Sequence, residues 1–267
     1  MKRRDFLASS VVAGAGLGIT GLPAASENFS DDDSTQQADT RKILLAGGGF
    51  GTTFIKYLAE LTGKTRPKIC YLPTANGESE SGIIRWYEMC APLNVEPSVQ
   101  RTFISSYSMD RSWEDVLLSV DGIVASGGNT LNQQAIWRAQ GIDEVLRKAW
   151  DRGIVLGGAS AGSLCWFEEG TTDSRPQEVT VVKGLEFLRG SHSPHYDAEA
   201  ARRPTYHRMI LSGELQPGYA CYNDAGIYFV DNEVRRVVKT REDAKVFHVS
   251  VAGGQIVERE LPAEMIR

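Results

Sequence analysis

From Lys42 onward the chain repeats one pattern: a short apolar run ending in small residues, then a segment with helical spacing. The runs are KILLAGGG (42–49), KICYLPTA (68–75), SVQRTFI (98–104), DGIVASGGNT (121–130) and GIVLGGAS (153–160). Helix-like stretches separate them at Phe54–Leu61, Ile83–Met89, Trp113–Leu118, Leu131–Ala139 and Ile142–Trp150. Continuous apolar strands that alternate with helices fit strands buried on both faces. This predicts an α/β fold, a doubly wound, mostly parallel sheet with helices on both faces. After a helix-like stretch near Pro204–Ser212 come YACYND, GIYFV, EVRRVVKT, AKVFHVSV and GQIVERE, read as a C-terminal antiparallel β region closing the same domain. Residues 41–267 therefore read as a single α/β domain.

The N-terminal segment reads differently. MKRRDFLASSVVAGAGLGITGLPAAS has a basic start, an apolar middle and a small-residue end, the layout of an export signal. Arg3-Arg4 followed by Asp5, Phe6 and Leu7 matches the twin-arginine type, so the translocation machinery is an expected partner and the expected location is periplasmic or extracellular. Cleavage is expected near Ala25 or Ser26. Residues 27–40 (ENFSDDDSTQQADT) are polar and predict a disordered linker. The formal net charge of −5 argues against a nucleic-acid partner, which needs a basic face. Cys70, Cys90, Cys165 and Cys221 lack metal-type or CxxC spacing, and no metal or organic cofactor is expected.

The chemistry concentrates in Gly158-Ala159-Ser160-Ala161-Gly162, a G-x-S-x-G sequence after a strand-like run. A nucleophile lifted onto a strand-to-helix turn needs strained backbone angles and small neighbours. Such a turn aims the Ala161 N–H at a developing oxyanion, and SLCWF is expected to continue as helix. GGNT (127–130) ends another strand on the same rim, making Gly128 the second candidate oxyanion donor. The bland alternative is a glycine-rich connection without chemistry.

A serine nucleophile requires a base. His195 follows Pro194 and lies 35 residues after Ser160; His192 is its rival, while His207 and His248 read as surface and structural residues. Asp173 gives the chain order Ser–Asp–His. Glu168, Glu169 and Asp197 are alternatives for the third member. GGGFGT (47–52) is an imperfect G-x-G-x-x-G with Thr52 at the last position, which leaves a nucleotide-binding reading weak. A thiolate amidotransferase is disfavoured because Cys165 sits five residues past the elbow.

Together GGGFGT, SGGNTL, GGASAGS, TTDS and PHYD resemble, in order and spacing, the peptidase E and cyanophycinase family of serine peptidases, which has the class I glutamine amidotransferase-like fold. The resemblance spans most of residues 41–230. It implies that nucleophile, base and oxyanion glycine fall on Ser160, His195 and Gly128, with the acidic member on or near Asp173. It implies a small peptide substrate: aspartyl dipeptides for peptidase E, or an aspartate–arginine polymer for cyanophycinase. The chain departs from peptidase E after the histidine, where DAEAARRPTYHRMI stands. Arg202, Arg203 and Arg208 are the candidates there for a substrate carboxylate, with a solvated helix face as the alternative.

Overall fold

The computed structural model describes residues 40–103 and 110–267. The expected export signal, and the linker apart from Thr40, lie outside the described residues. Fourteen strands and seven α-helices make up the described chain. In order these are β1 (Lys42–Ala46), α1 (Thr52–Leu61), β2 (Lys68–Leu72), α2 (Glu80–Cys90), β3 (Glu96–Val99), α3 (Trp113–Leu117), β4 (Gly122–Ala125), α4 (Thr130–Gln140), α5 (Ile142–Asp151), β5 (Val155–Ala159) and α6 (Ala161–Leu164). There follow β6 (Phe167–Thr172), β7 (Thr180–Lys183), β8 (Leu188–Ser193), α7 (Arg202–Leu211), β9 (Gly218–Cys221), β10 (Ala225–Val230), β11 (Glu233–Lys239), β12 (Val246–Ala252), β13 (Gln255–Leu261) and β14 (Glu264–Met265).

The expected sheet is present. Its order is β14-β11-β10-β1-β5-β4-β2-β3, with β1, β5, β4, β2 and β3 mutually parallel and β10 antiparallel to β1. Side-chain alternation sends Leu44 and Ala46 to one face, packed with α1 and α2, and Ile43 and Leu45 to the other, packed with α4 and α5. Helix α5 shows why: Ile142, Val145, Leu146, Ala149 and Trp150 form an apolar stripe, all buried. Local capping agrees with the packing. Ser112 and Asp115 form a reciprocal capping box on α3, and Asn129 accepts the Asn132 N–H at the start of α4.

The expected C-terminal antiparallel strands are present too, but they are divided between two sheets. GIYFV and EVRRVVKT do extend the main sheet as β10 and β11, but the other C-terminal runs join a separate six-stranded sheet, β13-β12-β9-β8-β6-β7. Within it, β6/β8 and β8/β9 pair parallel and the rest antiparallel. The elbow helix lasts only from Ala161 to Leu164, after which FEEGTT runs as β6. The mixed polarity of that segment hid the strand. Its Glu169 is buried because Lys183 on β7 pairs with it and the Gln216 N–H donates to it at 2.7 Å.

Candidate active site

Three strand ends converge on the carboxyl rim of the main sheet. Because β5 lies between β1 and β4, the residue after β5 sits between the loop after β1 and the loop after β4. That residue is Ser160. Its backbone adopts φ 57 and ψ −120, outside the regions favoured by side-chain-bearing residues. The flanking glycines make the turn possible. A Cβ on Gly162 would lie 2.1 Å from the Ala125 carbonyl oxygen, and one on Gly158 would lie 2.4 Å from the same atom. The G-x-S-x-G spacing is thus a packing requirement against β4.

The imidazole arrives from the second sheet. β8 ends at Ser193, and Pro194 leads to His195, which holds φ 53. The His195 N–H donates to the Gly47 carbonyl at 3.3 Å, tying this turn to the loop after β1. His195 Nε2 lies 2.8 Å from Ser160 Oγ, and its Nδ1 lies 2.7 Å from Asn223 Oδ1. An amide oxygen can only accept, so Nδ1 carries the proton and the Nε2 lone pair faces the serine hydroxyl.

Asn223 stands just past β9, the neighbour of β8, and is itself well held. Its N–H donates to Asp197 at 2.8 Å, its carbonyl accepts from Arg241 at 3.1 Å, and Arg241 also pairs with Asp197 at 2.6 Å. Asp197 therefore supports the residue that orients the ring and does not itself contact it. Nothing in the sequence set Asn223 apart, because an Asn-Asp pair between two strands reads as a turn.

Asp173 is not at the imidazole. It is 63% exposed and pairs at 3.2 Å with Arg202, which is 1% exposed. Glu168 accepts the Gly190 N–H at 2.7 Å and Glu169 pairs with Lys183, so neither reaches His195. Their placement on a strand, not a helix, explains this. His192 is fully buried: Nδ1 donates to the Tyr219 carbonyl at 3.0 Å, Nε2 meets the Ser163 hydroxyl at 3.0 Å, and burial pushes its pKa down to about 3. It supports the elbow from beneath, since the Ser163 hydroxyl also lies 2.9 Å from the Ser160 carbonyl. His207 bonds Tyr196 and Glu258, and His248 packs against Tyr219.

The glycine loop after β4 sits as expected, with a shift of one residue in its contacts. Gly127 lines the cleft and passes the serine, a Cβ there being 3.3 Å from Ser160 Cβ. Gly128, at φ +132, packs its α-carbon against the Ala75 carbonyl. Among the described residues, the N–H groups of Gly128 and Ala161 have no hydrogen-bond acceptor.

The cleft above Ser160 has a volume of about 500 Å³. GGGFGT supplies part of its wall through Gly48, Gly49, Phe50 and Gly51. Arg203 and Arg208 are elsewhere: Arg203 forks onto Glu258 and Arg208 pairs with Glu214 at 3.4 Å. Arg202 is held by Glu199 and the Thr171 carbonyl as well as by Asp173. The cleft's cation is Arg85 on α2, which sequence reasoning missed because it sits on the exposed side of an ordinary amphipathic helix. Cys165 is fully buried and burial raises its thiol pKa, so no thiolate is offered at the elbow.

The profile of Peptidase family S51 matches residues 43–237. An uncharacterized peptidase of Bacillus subtilis (strain 168), YgaJ, is 38% identical over 229 residues, spanning 84% of this chain and 98% of its own length. A peptidase from an acI-B1 Actinobacterium shares the fold with a TM-score of 0.64 at 18% identity, over 87% of this chain and 98% of its own. A putative peptidase E protein from Listeria monocytogenes EGD-e does so at 0.52 and 17% identity, over 84% and 100%. With a family match across most of the described domain, the chain belongs to peptidase family S51 and is a serine-type peptidase.

Proposed function

We propose that this peptidase is exported and hydrolyses small peptides, with Ser160 as nucleophile, His195 as general base and acid, and Asn223 as the residue that orients the imidazole. The observation carrying the reading is the 2.8 Å contact between Ser160 Oγ and His195 Nε2, with the ring already in the base tautomer. Ser160 attacks the amide carbonyl while Nε2 takes the hydroxyl proton. The free N–H groups of Gly128 and Ala161 receive the negative charge that develops on the carbonyl oxygen. The imidazolium then gives its proton to the leaving amine, and water repeats the sequence on the acyl-enzyme. A cleft of about 500 Å³ suits a peptide of a few residues rather than a folded protein.

Aspartyl dipeptides are the first substrates to try. Replacing Ser160 with alanine should lower hydrolysis of a dipeptide panel by several orders of magnitude, and undiminished turnover would defeat the assignment. Export is tested on the full chain: changing Arg3 and Arg4 to lysine should leave the protein inside the cell, and unchanged secretion would count against the twin-arginine route.

A further inference from the structure

Besides Tyr71, the ionisable side chains that line the cleft among the described residues are His195, Asp224 and Arg85. His195 is engaged by Ser160 and Asn223. The Asp224 carboxylate lies 3.3 Å from the Arg241 guanidinium, which offsets its charge. Arg85 has no hydrogen-bond or ion-pair partner among the described residues. Among the described residues, the one uncompensated charge on the cleft is therefore positive.

Much of the cleft's remaining lining is apolar: Phe50, Tyr71, Trp86, Met89 and Val124. Tyr71 and Trp86 stack with ring centroids 5.0 Å apart and planes 12° from parallel, which stiffens that lining. A guanidinium beside low-dielectric surface attracts a carboxylate more strongly than one in open water, and its planar fork matches carboxylate oxygens. From this geometry we infer that Arg85 is the carboxylate receptor of the cleft and that it selects peptides carrying a free carboxylate beside an apolar group. The inference rests on the reading of Ser160 and His195 as the hydrolytic pair. It moves carboxylate recognition from the α7 arginines, which the structure ties up elsewhere, to α2. The carboxylate has two possible sources, the peptide's C terminus or an acidic side chain.

The test compares the wild-type enzyme with Arg85→Gln and Arg85→Lys on Asp-Leu, Asn-Leu and Asp-Leu amide. Neutralising the relevant carboxylate should lower wild-type kcat/KM by about 10- to 100-fold, the worth of a hydrogen bond to a charged group. Arg85→Gln should show the same loss on Asp-Leu and no further loss on the neutral analogue, and Arg85→Lys should recover part of it. Sensitivity to Asn-for-Asp assigns the contact to the side chain, and sensitivity to amidation assigns it to the C terminus. Equal wild-type turnover of all three peptides, or an Arg85→Gln enzyme that discriminates as the wild type does, overturns the inference. Calorimetric binding of the same peptides to Ser160→Ala protein separates the two readings. Carboxylate-dependent binding that Arg85→Gln removes supports the receptor even if no peptide is cleaved, and binding indifferent to both changes overturns it.

Discussion

The imidazole of His195 is held at Nδ1 by Asn223, an amide oxygen 2.7 Å away, and not by a carboxylate. Asn223 fixes the tautomer and the ring plane but adds no negative charge to stabilise the imidazolium. Asn223→Asp should therefore favour the protonated ring, because an adjacent anion stabilises the imidazolium. The acid limb of the kcat/KM profile is expected to move to higher pH by about one unit. Asn223→Ala, which frees the ring but leaves the base in place, should lower kcat by roughly 10- to 100-fold, less than the roughly 10²- to 10⁴-fold that general acid–base catalysis supplies in full. A pH–rate profile of the three proteins checks both, and coincident acid limbs for Asn and Asp would refute the assignment.

Asp173 makes the contrasting case. Its carboxylate meets Arg202, and the next residue, Ser174, accepts the Thr130 N–H at 2.9 Å while its carbonyl accepts from Asn129 at 3.1 Å. The segment thus clamps the start of α4, just after the glycine loop. Asp173→Ala should leave the pH profile in place and keep kcat within roughly tenfold. The stability cost should be under about 1 kcal/mol, because the carboxylate is mostly exposed and Arg202 keeps its other partners. A shifted acid limb in this variant would return Asp173 to the imidazole.

These two residues show what the sequence conveys. The parallel strands and the elbow were legible because each has a local cause: apolar runs, and glycines beside a crowded serine. The preference for His195 over His192 rested in part on the family resemblance, since both histidines stand in one short polar segment. The partner of the His195 Nδ1 atom was not legible. Chain order favours Asp173, but β8 and β9 are neighbours in a second sheet whose strands come from distant, partly polar segments, and it is their pairing that brings Asn223 to His195. FEEGTT has no apolar alternation to announce β6; its buried Glu169 is satisfied by Lys183 and Gln216, partners visible only after folding. Arg85 was silent for the opposite reason, since nothing local separates a cleft-lining cation from a solvated one.

The elbow's tolerance can be measured at Gly162. A methyl group there would sit 2.1 Å from a backbone oxygen of β4, and no side-chain rotation relieves that contact. Gly162→Ala should destabilise the protein by on the order of 3 kcal/mol, lowering Tm by roughly 6–12 °C for a domain of this size. Activity should fall as well, because relief of the clash must move Ser160 relative to His195. Thermal unfolding and turnover measured on the same sample check this. A variant with unchanged Tm would show that the turn is looser than its geometry indicates.

The buried His192 gives the fold a pH dependence of predictable sign. Burial lowers its pKa from 6.5 to about 3 in the folded chain. The unfolded chain binds the proton first as pH falls, so the contribution of this residue is fully present above about pH 6.5 and declines as pH drops toward about 3. The slope is at most about 1.4 kcal/mol per pH unit. Carboxylates add their own acid sensitivity, so the comparison must be made against a variant without the titrating ring. His192→Gln retains a donor for the Tyr219 carbonyl and an acceptor for the Ser163 hydroxyl. The stability difference between wild type and His192→Gln, from urea unfolding at pH 7, 6, 5 and 4, should be constant at the upper end. Below about pH 6 it should shift steadily in favour of the variant, because only the wild type then loses stability through this site. Parallel curves across the whole range would mean that the ring takes up its proton equally in both states, and that its burial in the folded chain is less complete than its contacts with Ser163, Tyr219 and the Phe167 ring indicate.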